Sequence, residues 1–141
     1  MAGKTYLPAG QDAPASQIGA TLDALSATIA ARRDAGEESY THRLLEDSPD
    51  AVLKKVMEES GEVALAAKDV ECRRAAGEDE DAALDHLRYE SADVVYHLLV
   101  VLERYGIGIE EFAAELNERM TDEERPEGAV RLQKEHVNRG K

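Results

Sequence analysis

The stretch from Ser48 to Gly77 constrains the fold most. Ser48 is a good N-cap, Pro49 fits a first helical position, Asp50 suits the positive end of a helix, and Gly77 supplies a C-terminal stop. A helix is therefore expected from Pro49 to about Ala76. A second long helix follows from roughly Asp81 to Tyr105, where "YGIG" ends it. The short Gly77–Asp81 connection makes the two pack antiparallel. Ahead of them Ile18, Leu22, Leu25 and Ile29 repeat at helical spacing, with Gly36 where a C-cap would fall. Behind them Ile109, Phe112, Ala113, Leu116 and Met120 form one more apolar stripe. "EESYTHRLLEDSPD" reads as a connecting loop, and no segment alternates with the period of a strand. The expectation is an all-α fold, four main helices in a bundle. The core would span 17–121, between a flexible leader at 1–16 and a polar tail at 122–141 that is loose or only partly helical.

Composition narrows the partners. Thirty acidic against seventeen basic residues leave a formal net charge of −13, which repels nucleic acid and anionic membranes and invites a cation. Cys72 is the only cysteine, which excludes an intrachain disulfide and a multi-cysteine zinc site. With no Trp and Phe112 as the single Phe, the core falls to Ala, Leu, Val and Ile. No apolar run approaches the roughly 18 residues of a membrane span, and the start lacks the apolar region of a signal peptide. A cytoplasmic location is the expectation. No GxxxxGK[ST] loop is present, and "GIG" at 106–108 reads as a turn.

Each long helix carries paired carboxylates beside its apolar stripe. With Val56 at the centre of a buried face, Val52, Leu53, Ser60, Val63, Ala67 and Val70 lie within about 60° of it on the 100° helical step. Glu59 falls at the edge of that face, Glu62 further round on the same side, and Glu58 nearly opposite. In the next helix, a face centred on Val94 takes in Leu87, Ser91, Leu98, Val101 and Tyr105. Glu90, Asp93 and His97 line its flank. Packed antiparallel, the two pairs face each other near mid-bundle. One like-charge pair at ~4 Å costs about 4 kcal/mol at an effective dielectric near 20. A divalent cation relieves that cost, and an oxygen-only donor set points to Mg²⁺, with Mn²⁺ the alternative. Ser60 and Gly61, poor helix formers, leave room for a second helix or a ligand. Acidic residues on helix shoulders are more often plain solvated surface.

"EESGE" (Glu58, Glu59, Glu62) followed by "ESAD" (Glu90, Asp93) resembles the EExxE…ExxD pattern of the all-α, MazG-type nucleotide pyrophosphohydrolases. "SYTHRLL", "KKVMEESGEVALAAKD" and "YESADVVYHLLVVLERYGI" resemble more closely the phosphoribosyl-ATP pyrophosphatase family of histidine biosynthesis, over about Ile18 to Met120. That resemblance implies Mg²⁺-dependent cleavage of the α–β phosphoanhydride of phosphoribosyl-ATP, with Glu59, Glu62, Glu90 and Asp93 as metal ligands. Glu58 becomes a spare carboxylate for water or a second metal. It also implies a homodimer or higher homo-oligomer, and a phosphoribosyl-AMP cyclohydrolase on a separate chain as functional neighbour. A general nucleoside triphosphate pyrophosphohydrolase and a non-catalytic acidic bundle are the rival readings.

Other residues divide between function and packing. Lys55 shares a flank with Glu59 and suits a phosphate contact or an ion pair, whereas Lys54 reads as surface. His97, four residues after Asp93, can bond that carboxylate or touch substrate. Tyr96 points away from the flank. Tyr40 and Thr41, with Ser39, are substrate-contact candidates through the resemblance and ordinary turn residues without it. Arg119 can meet phosphate or complement a helix end. His42, His86 and His136 show no convincing partners.

Overall fold

A computed structural model describes residues 9–12, 17–133, 135, 137 and 138. Most of the leader expected at 1–16, the end of the tail, and His136 lie outside the described residues. Five helices follow in order: α1 (Gln17–Ala31), α2 (Tyr40–Glu46), α3 (Pro49–Ala76), α4 (Asp81–Arg104) and α5 (Ile109–Asn117), with a 3-10 turn at Arg32–Asp34 after α1. Among the described residues there is no strand, so the all-α expectation holds. No helix among them is long and apolar enough to cross a membrane.

The long helices keep the limits their caps set. Ser48 Oγ accepts from the Asp50 N–H with Pro49 at the start of α3. Gly77 ends that helix at φ +68°, its N–H bonding back to the Arg73 and Arg74 carbonyls. Arg73–Glu78 (2.9 Å) and Arg74–Glu80 (2.5 Å) brace the turn into α4, and α3 and α4 form the most extensive pairing in the fold. Gly106 turns the chain at φ +70°, and the Glu111 carboxylate accepts from the Gly108 N–H at the head of α5.

Two expectations ahead of α3 need correcting. The stretch read as a connecting loop contains α2, capped by Ser39 Oγ accepting from the His42 N–H. Gly36 turns the chain at φ +81°, but after the 3-10 turn and not directly at the end of α1. Leu44 and Leu45 of α2 enter the core with Ile29 of α1, Val52 of α3, and Leu99 and Val100 of α4. Seven residues are too few for a stable isolated helix, so α2 depends on neighbours. Arg104 supplies one set: its guanidinium donates to the Leu44, Leu45 and Asp47 carbonyls at 2.9, 2.8 and 2.6 Å. Arg33 supplies another, pairing with Glu46 at 2.7 Å and with Glu103 at 3.3 Å.

α5 stops at Asn117, short of the Met120 expected from its apolar stripe. There the chain folds back. Asn117 Nδ2 donates to the Val130 carbonyl, Arg125 Nε to the Asn117 carbonyl, and Arg131 pairs with Glu118.

Candidate functional site

The buried face of α3 is Val52, Glu59, Ala66 and Val70. Its centre is about 55° round from Val56 on the 100° step. The expected members Leu53 and Ser60 are exposed, while Val56, Val63 and Ala67 are half-buried. On α4 the buried residues are Glu90, His97, Leu99 and Val100, whereas Ser91 and Tyr105, expected inside, are exposed. One carboxylate of each pair thus lies in the buried face of its helix, and the other at its shoulder. Glu59 is only 6% exposed and Glu90 is also buried; Asp93 is half-buried and Glu62 exposed.

A buried carboxylate needs partners. Glu59 Oε2 accepts from His97 Nδ1 at 2.5 Å, and the same nitrogen lies 3.0 Å from the Asp93 carbonyl. His97 therefore meets the main chain of Asp93, not the carboxylate suggested by the i,i+4 spacing. Its other nitrogen, Nε2, is 3.0 Å from the Tyr40 hydroxyl. The rings of Tyr40 and Tyr96 meet the imidazole edge to face, with centroids 6.1 and 5.0 Å away. Tyr96 bonds through its hydroxyl to Thr41 Oγ1. Both tyrosines thereby fasten the first turn of α2 to α4. Neither contact was legible in the sequence, because each joins residues more than fifty positions apart.

Glu90 Oε1 is 2.7 Å from His86 Nε2, a partner that i,i+4 spacing could have revealed. His42 likewise has a partner, its Nδ1 lying 2.6 Å from the Arg33 carbonyl. His86 also borders a cleft of about 610 Å³ near the α3–α4 turn, lined with Asp69, Cys72, Arg73 and Asp79.

Like charge is crowded here. The Glu62 carboxyl titrates above its ordinary value, first because of the charge on Glu90, then through desolvation, a hydrogen bond with Glu90, and the nearby Glu59 and Glu58. Burial is the first cause raising the Tyr40 phenol; Lys55 opposes it and Glu59 adds to it. The Lys55 ammonium is held above its ordinary value by Glu58 first, then by Tyr40. Lys55 and Lys54 both pair with Glu58, at 3.6 and 3.4 Å, and Lys54 is surface as expected. Arg119 donates to the Glu115 carbonyl one turn back on α5.

As placed, no group of three His, Cys, Asp or Glu side chains among the described residues is gathered closely enough to hold an ion. The donor chemistry nonetheless fits a hard cation. Glu59, Glu62, Glu90 and Asp93 are all oxygen donors, they come from two facing helices, and the upward shift of Glu62 registers repulsion that a cation relieves.

The family model for phosphoribosyl-ATP pyrophosphohydrolase matches residues 22–120. The chain is 40% identical over 99 residues to a phosphoribosyl-ATP pyrophosphatase of Dechloromonas aromatica (strain RCB), covering 70% of this chain and 81% of that protein. A protein of the same name from Paracidovorax citrulli (strain AAC00-1) is 40% identical over 111 residues, covering 76% and 75%. "Phosphoribosyl-ATP pyrophosphatase 1" of Rhodopseudomonas palustris (strain ATCC BAA-98 / CGA009) is 41% identical over 100 residues, covering 70% and 82%. No solved structure matches. The family model covers α3 and α4 entirely, with both carboxylate pairs, and so the chain belongs to the phosphoribosyl-ATP pyrophosphohydrolase family.

Proposed function

We propose that this chain hydrolyses the α–β phosphoanhydride of phosphoribosyl-ATP to phosphoribosyl-AMP and pyrophosphate, a step of histidine biosynthesis. The observation that carries the reading is the family match over 22–120, which takes in every carboxylate of the EExxE…ExxD pattern. Water adds to phosphorus, the bridging oxygen leaves with the other phosphoryl group, and no redox partner is required.

Glu59, Glu62, Glu90 and Asp93 would hold Mg²⁺, or Mn²⁺ in its place. Bound there, the cation would neutralise phosphate charge and polarise the reacting groups. The chain's own groups do the rest. Glu59 is held by His97, so less of its side-chain freedom remains to be lost on binding. Glu58, exposed and tied to two lysines, is the spare carboxylate available to orient water. The Lys55 ammonium, between Glu58 and Tyr40, is the cation closest in kind to what a phosphate tail needs. Arg119 is a further phosphate contact if the substrate reaches the end of α5.

An exposed apolar stripe on α3 supports pairing with a second copy of the chain. Met57 and Leu65 of α3 are 77% and 69% exposed, Leu53 extends their stripe, and a Cβ added at Gly61 between them would meet nothing. Tyr89 and Val95 of α4 are exposed as well. Such apolar area on a small chain suits a homodimer, or a higher homo-oligomer. The product would pass to a phosphoribosyl-AMP cyclohydrolase on a separate chain.

Pyrophosphate release from phosphoribosyl-ATP, with and without Mg²⁺ and with ATP as the comparison substrate, tests the reading. Mg²⁺-dependent release from phosphoribosyl-ATP is expected, lost in Glu59→Gln and Asp93→Asn while the helical circular dichroism stays unchanged. Preference for ATP would move the chain to general nucleotide hydrolysis, and wild-type rates in either variant would remove the metal assignment.

A further inference from the structure

α5 is short, and it pairs substantially with none of the other four helices. Its first residue, Ile109, packs against the core cluster. Its link to α4 is the turn at Gly106, where the Gly106 and Ile107 N–H groups donate back to the Glu103 and Leu102 carbonyls. Nine residues are too few to stay helical on their own, so α5 needs support from elsewhere.

The support comes from the segment that follows. Ala114 and Asn117 are the buried residues of α5, and both meet it. Asn117 Nδ2 donates to the Val130 carbonyl at 2.9 Å, and Ala114 lines a groove of about 400 Å³ with Val130, Arg131 and Leu132. Arg125, its side chain only 11% exposed, donates through Nε to the Asn117 carbonyl at 2.7 Å and pairs through Nη1 with Asp122. A cation thus sits on the negative end of the helix. Arg131 reaches Glu118 at 2.8 Å and Asp122 at 3.4 Å. In each of these ion pairs at least one partner stands in solvent, where salt can screen it. Residues 121–131 lie beyond the stretch that the family model matches, so this closure is an addition to the matched core.

We propose that residues 118–131 are a salt-sensitive latch, closed by Arg125 and Arg131, that keeps α5 helical. When the latch opens, α5 unravels with it about the Gly106 turn, while α1 to α4 stay folded. Helix and latch depend on each other: α5 supplies the carbonyl and carboxylate that the arginines grip, and the arginines supply the cap that α5 lacks. The latch does not depend on the substrate assigned above.

Amide hydrogen exchange of the full chain, without metal or substrate, tests it. At low salt the hydrogen-bonded amides of α5 should exchange together, and faster than those at the centres of α3 and α4. Arg125→Met should speed the α5 amides about tenfold or more, the size of one lost hydrogen bond to a charged group. The centres of α3 and α4 should stay within about twofold. Asp122→Asn, a milder change at an exposed site, should speed α5 about two- to threefold.

Sodium chloride separates the latch from the body. Raising it to about 1 M shortens the screening length to about 3 Å. The latch then loses its ion pairs and α5 should exchange faster. α3 and α4 belong to a chain of net charge −13, whose self-repulsion salt relieves, so they should exchange no faster. α5 amides that slow with salt alongside α3 and α4, or that do not respond to Arg125→Met, would overturn the latch. Equal acceleration of all the helices in either variant would reveal one cooperative unit and refute separate opening. A chain inactive on phosphoribosyl-ATP would overturn the proposed function and leave these exchange results standing.

Discussion

Arg104→Met tests whether a residue outside the carboxylate cluster holds α2 in place. The guanidinium makes three bonds to the carbonyls that close α2, at 2.9, 2.8 and 2.6 Å. A hydrogen bond to a charged group contributes about 1.5–3 kcal/mol. The Asp47 carbonyl is exposed and regains water, so only the bonds to the Leu44 and Leu45 carbonyls count fully. Partial hydration of those two lowers the expected loss to about 2–4 kcal/mol, given that range. For a domain of this size that is a fall in Tm of about 10 °C, taking ~3–5 °C per kcal/mol. Arg104→Lys keeps a positive charge at the end of α4 but cannot span three carbonyls, so it should recover less than half of the loss. Hydrogen exchange should quicken in α2 before α3. A Tm within about 2 °C of wild type, or full recovery by lysine, would refute the reasoning that ties α2 to this fork.

Two further outcomes follow from charge and from surface. Because the folded-state Glu62 carboxyl lies above its ordinary value, its ionisation opposes folding at neutral pH, and that penalty fades as pH falls through the raised value toward the ordinary one. Without divalent metal, Glu62→Gln should therefore melt higher than wild type at pH 7–8, with the gap closing as the medium is acidified; a gap that widens on acidification contradicts the assignment. Met57→Glu should convert the proposed dimer to monomer in sedimentation while leaving its helical spectrum intact, and a wild-type chain that already sediments as a monomer removes the interface.

Much of the fold was legible because its two long helices announce their own ends. Ser48, Pro49 and Gly77 bound α3 by local chemistry alone, and the structure keeps those limits. α2 escaped because two turns hold too little periodicity, although Ser39 ahead of Leu44 and Leu45 carried its capping signal. The face of α3 was misjudged for a different reason. Apolarity pulled the expected centre toward Leu53 and Val56, yet Glu59 is buried, since a histidine thirty-eight residues later supplies its hydrogen bond. The same bias counted Leu53 as core when it lies on an exposed face. A pattern within one helix cannot register a partner on another. Spacing singles out the four carboxylates, but the contacts of His97 and Tyr40 depend on three elements meeting.

The braced turn between α3 and α4 has a consequence for which relatives can exist. Glu59 reaches His97, and Glu62 crowds Glu90, only because the two helices run past each other in one register. A residue inserted within either helix between the turn and these positions would rotate everything beyond it by about 100° and slide it about 1.5 Å. That would carry Glu59 off the histidine and scatter the carboxylates around the hairpin. The turn itself has little slack, with Gly77 at positive φ and two arginine–glutamate pairs spanning it. Length variation among functional homologues should therefore gather before α1 and after α5, while the interval from Glu59 to His97 keeps one fixed length, a constraint that a substitution table would never display.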